Sequence, residues 1–99
     1  MASVARREST LMLYLVIETF KDPIPVYRRF RDQGRLASEE LRYVASWVTE
    51  DFKRCYQVVE CDDRTLLEEW MERWRDLVEF EVIPVRTSAE AFSLIQPKL

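Results

Sequence analysis

Apolar residues recur along this 99-residue chain with two different periods, and the order of those periods limits the possible folds more than any other feature. Residues 11–20, 41–49, 54–61 and 78–85 are short apolar runs, alternating or rich in β-branched and aromatic types, which predict strands. Residues 64–77, RTLLEEWMERWRDL, instead repeat apolar side chains every three or four positions. This second pattern predicts an amphipathic helix of about four turns, with Trp70 and Trp74 facing inward.

Capping residues mark the ends of the helices. A further helix is predicted in DPIPVYRRFRDQGRL, where Asp22 can cap the first turn and Gly34 can end the last one. Val26, Tyr27 and Phe30 are spaced as one face of this helix. The adjacent Asp62 and Asp63 can cap the helix over 64–77. Residues 87–90 have the spacing of a capping box before AFSLI, which predicts a short C-terminal helix that Pro97 ends.

The predicted order is therefore strand, helix, strand, strand, helix, strand, with one helix added at the end. This order is that of the ferredoxin-like βαββαβ unit. We predict an α+β fold in which a four-stranded antiparallel sheet carries two main helices on one face. Residues 12–99 are expected to form this single domain, and residues 1–11 are expected to be a mobile N-terminal extension.

Composition excludes several classes of enzyme. The chain has no His and a single Gly, Gly34. Catalytic relays that use His, zinc sites with His ligands and haem ligation through His therefore cannot form, and glycine-rich loops for phosphates or dinucleotides are absent. We expect no cofactor and no metal, since Glu60, Asp62 and Asp63 have no specific ligand spacing.

Charge and hydropathy give expectations about partners and compartment. The net charge of −3 argues against nucleic-acid binding, and no run of 18 apolar residues or secretory signal is present. Cys55 and Cys61 are six residues apart in one predicted strand, about 20 Å, which is too far for a disulfide. We therefore expect a cytoplasmic protein with two free thiols, bound neither to nucleic acid nor to a membrane.

The strand alternation assigns side chains to the two faces of the sheet. We expect the helices to cover the aliphatic set that includes Leu13, Leu15 and Ile17. The opposite face would then be rich in large apolar side chains, which usually indicates an interface or a ligand site. These side chains are Tyr14, Val16, Tyr43, Ala45, Trp47, Val59 and Ile83. We predict that a second copy covers this face, giving a homodimer in which two sheets pack together.

Polar and aromatic groups in the enclosed space are the candidate functional residues. Glu18 and Glu81 are predicted to act as acid or base, because burial raises the pKa of a carboxyl group. The predicted ligand-binding residues are Tyr14, Tyr43, Trp47 and Gln57. A basic cluster of Arg28, Arg29, Arg31 and Arg35 lies in the segment of the first predicted helix. It is a candidate anion site, and the alternative is a solvated helix face on which Arg28 pairs with Asp32. The anion-binding candidates in this cluster are Arg28, Arg29 and Arg31.

Six segments carry a resemblance to a known family: LYLVIETF, PVYRRFRDQGRL, LRYVASWV, RCYQVVECDD, LLEEWMERWRDLVEFEVIPV and TSAEA. From Met12 to Ala91 they resemble a family of short bacterial proteins known as a domain of unknown function. That family is similar to the dimeric α+β barrel group of ferredoxin-like proteins. The resemblance implies the dimeric barrel and assigns no activity, although the group includes cofactor-independent monooxygenases and muconolactone-isomerase-like enzymes.

Two functions remain open at this point. In the first, the barrel interior binds, or binds and transforms, a small apolar or aromatic molecule. In the second, the sheet face is only the interface of a non-catalytic regulatory or scaffolding dimer. The acidic outer face of the helix over 64–77 would then meet a partner protein. That face carries Glu68, Glu69, Glu72 and Asp76.

Overall fold

The computed structural model describes residues 11–99, and within this range the chain forms four strands, three α-helices and a short 3-10 helix. The elements are β1 (Met12–Phe20), α1 (Pro23–Gln33), β2 (Arg42–Val48), β3 (Arg54–Cys61), α2 (Arg64–Glu72), β4 (Val78–Val85), α3 (Ser88–Ile95) and the 3-10 helix (Gln96–Lys98). This order confirms the predicted ferredoxin-like α+β fold. The predicted extension over 1–11 lies, except for Leu11, outside the described residues.

The strands form one antiparallel sheet in the order β2-β3-β1-β4, so β3 and β1 are central. On β1, Leu15 is paired with Val58 of β3 on one side and with Ile83 of β4 on the other. The register between β2 and β3 is irregular between Tyr43 and Ala45. This bulge changes the alternation along β2, since one strand then contributes an extra residue.

The helices cover one face of β1 and β3, but it is not the face that the sequence predicted. The buried side chains on the helix side include Tyr14, Val16, Glu18, Gln57 and Val59. The other face, which no element of the described chain covers, is called the open face, and its half-buried side chains include Leu13, Leu15, Ile17, Tyr56 and Val58. The assignment was wrong because β1 is apolar on both faces, so its alternation does not identify the covered one. Glu18 and Gln57 can both be buried because they are hydrogen-bonded to each other.

On the two edge strands the prediction was partly right. Ala45 and Trp47 of β2 and Ile83 of β4 lie on the open face, as expected. Tyr43 was also expected there, but it is paired with the buried Val59 and lies on the helix side. The bulge in β2 explains this difference, because it places Tyr43 and Ala45 on different faces although they are two residues apart.

Helix α2 contributes most of the helical side of the core. Leu67, Trp70 and Met71 are buried against the sheet, and Asp63 caps the helix by accepting a hydrogen bond from Thr65 N at 2.9 Å. The helix ends at Glu72, whereas the sequence predicted helix as far as residue 77. Beyond Glu72 the backbone N–H groups of Arg73, Trp74 and Leu77 bond to carbonyls three residues back. These tighter turns return the chain to β4 and still bury Trp74, as its spacing predicted.

The remaining caps are as predicted. Asp22 accepts a hydrogen bond from Ile24 N at 3.0 Å, and Gly34 ends α1 with a φ of 72°, a conformation that favours glycine. Thr87 caps α3 by accepting from Glu90 N at 3.1 Å. Every residue of α3 is exposed, so α3 does not cover the open face of the sheet. Within residues 11–99, no helix has the length and apolar character needed to span a membrane.

Replacing Leu67 with Ala is expected to lower the free energy of unfolding by about 3 kcal/mol, because this fully buried side chain would leave a cavity between α2 and the sheet. The exposed Glu69 on the same helix provides the control, since Glu69→Ala should change that free energy by less than about 0.5 kcal/mol. Urea unfolding followed by circular dichroism measures both. Equal effects of the two substitutions would contradict the described packing of α2.

Candidate functional site

A pocket of about 400 Å³ lies between the helices and the covered face of the sheet. This volume falls within the range of small-molecule sites, about 300–1,000 Å³. Its aromatic lining consists of Phe20, Tyr27, Phe30, Tyr43, Trp70 and Trp74. The other lining residues are Glu18, Val26, Arg35, Ser46, Val48, Cys55 and Gln57. Tyr27 and Phe30 are themselves exposed to solvent, so the pocket opens beside α1.

A buried carboxyl group and a buried amide lie together on the sheet side of this pocket. The side-chain N–H of Gln57 donates a hydrogen bond to Glu18 Oε2 at 2.8 Å, and each of these residues is only 8% exposed. Burial raises the pKa of Glu18 from 4.5 to about 7, although Gln57 and the positive charge of Arg35 both oppose this shift. Glu18 is therefore able to take up or release a proton near neutral pH.

Arg35 brings a positive charge to the same pocket. Its Nη1 donates to Leu41 O at 3.4 Å, while its Nη2 is buried and has no hydrogen-bond partner among residues 11–99. The guanidinium lies 5.6 Å from the ring centroid of Tyr43, whose hydroxyl is 2.8 Å from that of Ser46. Burial lowers the pKa of Arg35, but a guanidinium stays charged at neutral pH. The pocket thus holds a cation with an unused donor.

Contacts between the turn after α2 and the end of α1 fix the position of Arg35. The Trp74 indole N–H donates to Arg35 O at 2.8 Å, and Arg73 Nη1 donates to Leu36 O at 3.0 Å. Arg29 of α1 forms two parallel hydrogen bonds with Asp76, at 2.9 and 2.7 Å. Such a bidentate pair is geometrically specific. These bonds hold α1 beside α2, and both helices border the pocket.

Cys55 lines the pocket but is unsuited to nucleophilic catalysis. Burial, together with the nearby Glu18, raises the pKa of the Cys55 thiol to about 12. Because the thiolate is the reactive form, this thiol is inert at neutral pH. Cys61 is also buried and free, so both thiols are unpaired as the sequence predicted.

The structure brings three of the sequence-predicted site residues together, on the helix side of the sheet instead of the open side. These three are Glu18, Tyr43 and Gln57. Trp47 lies on the open face and is 62% exposed, and Glu81 is exposed on that face beside Ile17. Tyr14 is buried on the helix side, where its ring faces the Arg64 guanidinium outside the pocket. The predicted pairing of Glu81 with Glu18 in one enclosed space is therefore wrong.

Two of the three arginines predicted to bind an anion are paired with carboxylates, and the third lies outside the pocket. Arg29 is bound to Asp76, and Arg31 pairs with Asp32 at 2.8 Å. The expected pairing of Arg28 with Asp32 is not the one observed, and Arg28 is exposed and does not line the pocket. A neighbouring arginine, Arg35, reaches the pocket instead. Gly34 redirects the chain at the end of α1, so Arg35 does not continue the helix face.

Sequence reasoning also missed the aromatic wall as part of the site. Tyr27 and Phe30 were predicted to share one face of α1, and Trp70 and Trp74 were predicted to face inward from the second helix. These helix positions were right. The sequence did not predict which face of the sheet these side chains contact, so it did not predict that they lie close to Glu18. Chemically, the assembled pocket can hold an apolar ring, pair an anionic or acceptor group, and exchange a proton at one carboxyl.

Glu18 predicts a distinctive dependence of stability on pH. Because the pKa of Glu18 is higher in the folded chain than in the unfolded chain, the folded state retains its proton over a wider pH range. Its contribution to stability is complete below pH 4.5 and is lost as pH rises towards 7, by about 3 kcal/mol at most. The wild-type free energy of unfolding should therefore contain a component that falls between about pH 4.5 and about pH 7 and is level above that. Glu18→Gln should remove it.

Urea unfolding at pH 5, 6, 7 and 8 tests this expectation. Glu69→Gln, at an exposed position of α2, is the matched control and should keep the wild-type slope. At pH 8 the Glu18→Gln variant should be more stable than the wild type, because an amide carries no charge to bury. An unchanged slope in Glu18→Gln would show that Glu18 titrates normally.

Comparisons with known proteins found a matching family model and a similar solved structure. A model of a domain of unknown function, DUF3303, matches residues 12–99. A solved structure of a NipSnap family protein with unknown function, from Agrobacterium tumefaciens strain C58, is 15% identical to the chain. The alignment covers 78% of this chain and 90% of that one, with a TM-score of 0.47. No curated protein matches the chain.

The match to the family model confirms the resemblance found from Met12 onwards. It includes every strand and helix of the structure, together with every residue that lines the pocket. The chain therefore belongs to the DUF3303 family of domains of unknown function.

Proposed function

We propose that the protein binds a small molecule with an apolar or aromatic body in the pocket between the helices and the sheet. The observation that carries this proposal is the combination in one 400 Å³ pocket of aromatic walls with the buried Glu18–Gln57 pair. Mostly apolar pockets with a few convergent polar groups are typical of ligand sites. Glu18 is the residue of this pocket suited to acid or base chemistry, since its pKa is about 7.

The position of the polar groups favours this pocket over a ligand site on the open face. Glu18, Gln57 and Tyr43 are the groups that would orient a ligand, and all three line the helix-side pocket. The open face presents mainly aliphatic and aromatic side chains around its centre, with Glu81 at an exposed position. We therefore propose that the ligand binds on the helix side of the sheet and not on the open face.

Adjacent residues of β2 allow the two faces to be tested separately. Ser46 lines the pocket, whereas Trp47 points to the open face. Ser46→Phe should fill part of the pocket and weaken binding of the neutral aromatic probe 2-naphthol at least tenfold, because ring and ligand compete for the same space. Trp47→Ala should leave that binding unchanged. Isothermal titration calorimetry measures both, with circular dichroism to confirm that each variant is folded.

Loss of 2-naphthol binding in Trp47→Ala but not in Ser46→Phe would place the ligand on the open face and contradict the proposal. Failure of the wild-type protein to bind 2-naphthol at millimolar concentration would also count against a pocket for aromatic ligands. The Tyr43–Ser46 hydrogen bond is lost in the first variant, so Ser46→Ala serves as its control. It removes the same bond without filling the pocket.

For the open face we infer a structural role as the interface of a homodimer. Leu15 and Ile17 of β1, Val58 of β3 and Ile83 of β4 form a continuous apolar area there, and the exposed Trp47 extends it to the edge strand. Removing such an area from water favours association, by about 25 cal/mol per Å². A second copy fits best, since two twisted sheets of the same kind pack face to face.

Replacing Val58 with Lys tests this interface. The charge would lie in the middle of the dimer contact, so the wild type should be a dimer and Val58→Lys a monomer in sedimentation experiments. The variant should stay folded, because this face of a single chain is open to solvent. Glu69→Lys on the outer face of α2 is the control and should remain dimeric. A wild-type monomer at 100-fold dilution from micromolar concentration would refute the interface.

A further inference from the structure

One nitrogen of the Arg35 guanidinium has no hydrogen-bond partner within the described range, and a bound neutral ring would not supply one. Arg35 Nη2 is buried without a hydrogen-bond partner among the described residues, and no ion pair of residues 11–99 includes Arg35. Burying an unpaired donor of a charged group is costly, so such groups are normally satisfied by protein, water or ligand. Arg35 lines the pocket, so its guanidinium belongs to the wall that a ligand would contact.

We propose that the pocket takes a small aromatic carboxylic acid, with its ring against the aromatic walls and its carboxylate bound by Arg35. This inference rests on the proposed function and adds the chemical class of the ligand. A planar guanidinium is the side chain best matched to a carboxylate, because it can donate two parallel hydrogen bonds. The rings of Phe20, Trp70 and Trp74 supply a surface on which a flat apolar body packs.

The charges of the pocket favour a singly charged group. Of the lining side chains in the described part of the chain, Arg35 is the only cation and Glu18 the only acid. One cation balances one carboxylate, whereas a phosphate ester would bring up to two negative charges beside Glu18. The hydroxyls of Tyr43 and Ser46, 2.8 Å apart, are additional donors for the same oxygen atoms.

Binding of an anion beside Glu18 also couples the site to pH. Two negative charges in one buried pocket repel each other, so the ligand carboxylate should bind with Glu18 in its protonated form. The groups that face Glu18 are Arg35 after α1, Tyr27 on α1, Tyr43 on β2, and Cys55 and Gln57 on β3. The described α2 and β4 elements contribute apolar neighbours, Trp70 and Phe80, to this region. Glu18 is thus the acid of this group that titrates near neutrality.

The experiment compares two probes of similar shape, 2-naphthoate and the neutral 2-naphthol, by isothermal titration calorimetry with the full chain at pH 6. We expect 2-naphthoate to bind at least tenfold more tightly than 2-naphthol. Arg35→Gln should remove this preference, while Arg28→Gln, which deletes an exposed charge of α1, should keep it. The comparison of probes on the wild-type protein needs no variant, so it is independent of the folding of Arg35→Gln.

A pH series adds a readout that a purely structural Arg35 would not change. Above pH 7 the affinity for 2-naphthoate should fall by about tenfold per pH unit, whereas that for 2-naphthol should stay constant. In Glu18→Gln the affinity for 2-naphthoate should no longer depend on pH. Uptake of a proton on binding at pH 8, seen as a dependence of the heat on the buffer, should accompany binding to the wild type only.

The outcomes separate this inference from the proposed function. Equal binding of 2-naphthol and 2-naphthoate would refute the carboxylate preference and leave an aromatic pocket in place. Preference for 2-naphthoate that persists in Arg35→Gln would show that another group binds the carboxylate and would overturn the role of Arg35. Binding of neither probe would overturn both the inference and the proposed function.

Discussion

Two helices can cover only one face of a four-stranded sheet, and this chain places apolar side chains on both faces. This constraint organises the rest of the molecule. On the covered face, α2 packs tightly through Leu67, Trp70 and Met71, whereas α1 buries only Val26. The uneven coverage leaves the pocket under α1. On the other face, no element of the described chain covers the apolar centre around Leu15 and Val58. This uncovered area is the reason for proposing a second copy as its partner.

The polar groups of the pocket oppose the stability of the fold. Glu18 and Gln57 occupy positions on the central strands where aliphatic residues would add apolar contact with α2. Their mutual hydrogen bond reduces the cost of burial, but the carboxyl group is still held where its charged form is disfavoured. A buried ionisable group that destabilises the fold is typical of functional sites, where activity and stability make opposite demands. The unfavourable burial of Glu18 therefore supports a functional role for this residue in the proposed site.

The sequence predicted the strands and helices and their order because each is determined by residues within or next to it. Asp22, Asp63 and Thr87 cap the three helices through bonds to the first turn, and Gly34 ends α1 with a positive φ. The faces of the sheet have no such local cause in β1, where Leu15 and Val16 are equally apolar. Which one is covered depends on how the helices dock, a property of the whole chain. The bulge in β2 and the early end of α2 are likewise tertiary effects.

The same limit applies to the site. Glu18, Gln57 and Tyr43 were recognised as unusual because they are polar or aromatic at strand positions that should be buried. Arg35 was grouped with the arginines of α1, since sequence spacing does not show that Gly34 turns it towards the sheet. That Arg35 Nη2 has no hydrogen-bond partner in the described chain can be established only from the distances between Arg35 and the side chains of α1, β2 and β3.

The weak attachment of α1 has a consequence for the kinetics of ligand exchange. This helix borders the mouth of the pocket, buries a single side chain and is attached to the turn after α2 largely by polar bonds, among them the pair Arg29–Asp76, whose aspartate is exposed. Exposed ion pairs contribute little to stability and are screened by salt. Movement of α1 away from α2 therefore breaks mainly polar contacts and little apolar packing, so it should need less free energy than opening of α2 or the sheet. Residence time of a bound molecule would then shorten as ionic strength rises, independently of the contacts that the molecule makes inside the pocket.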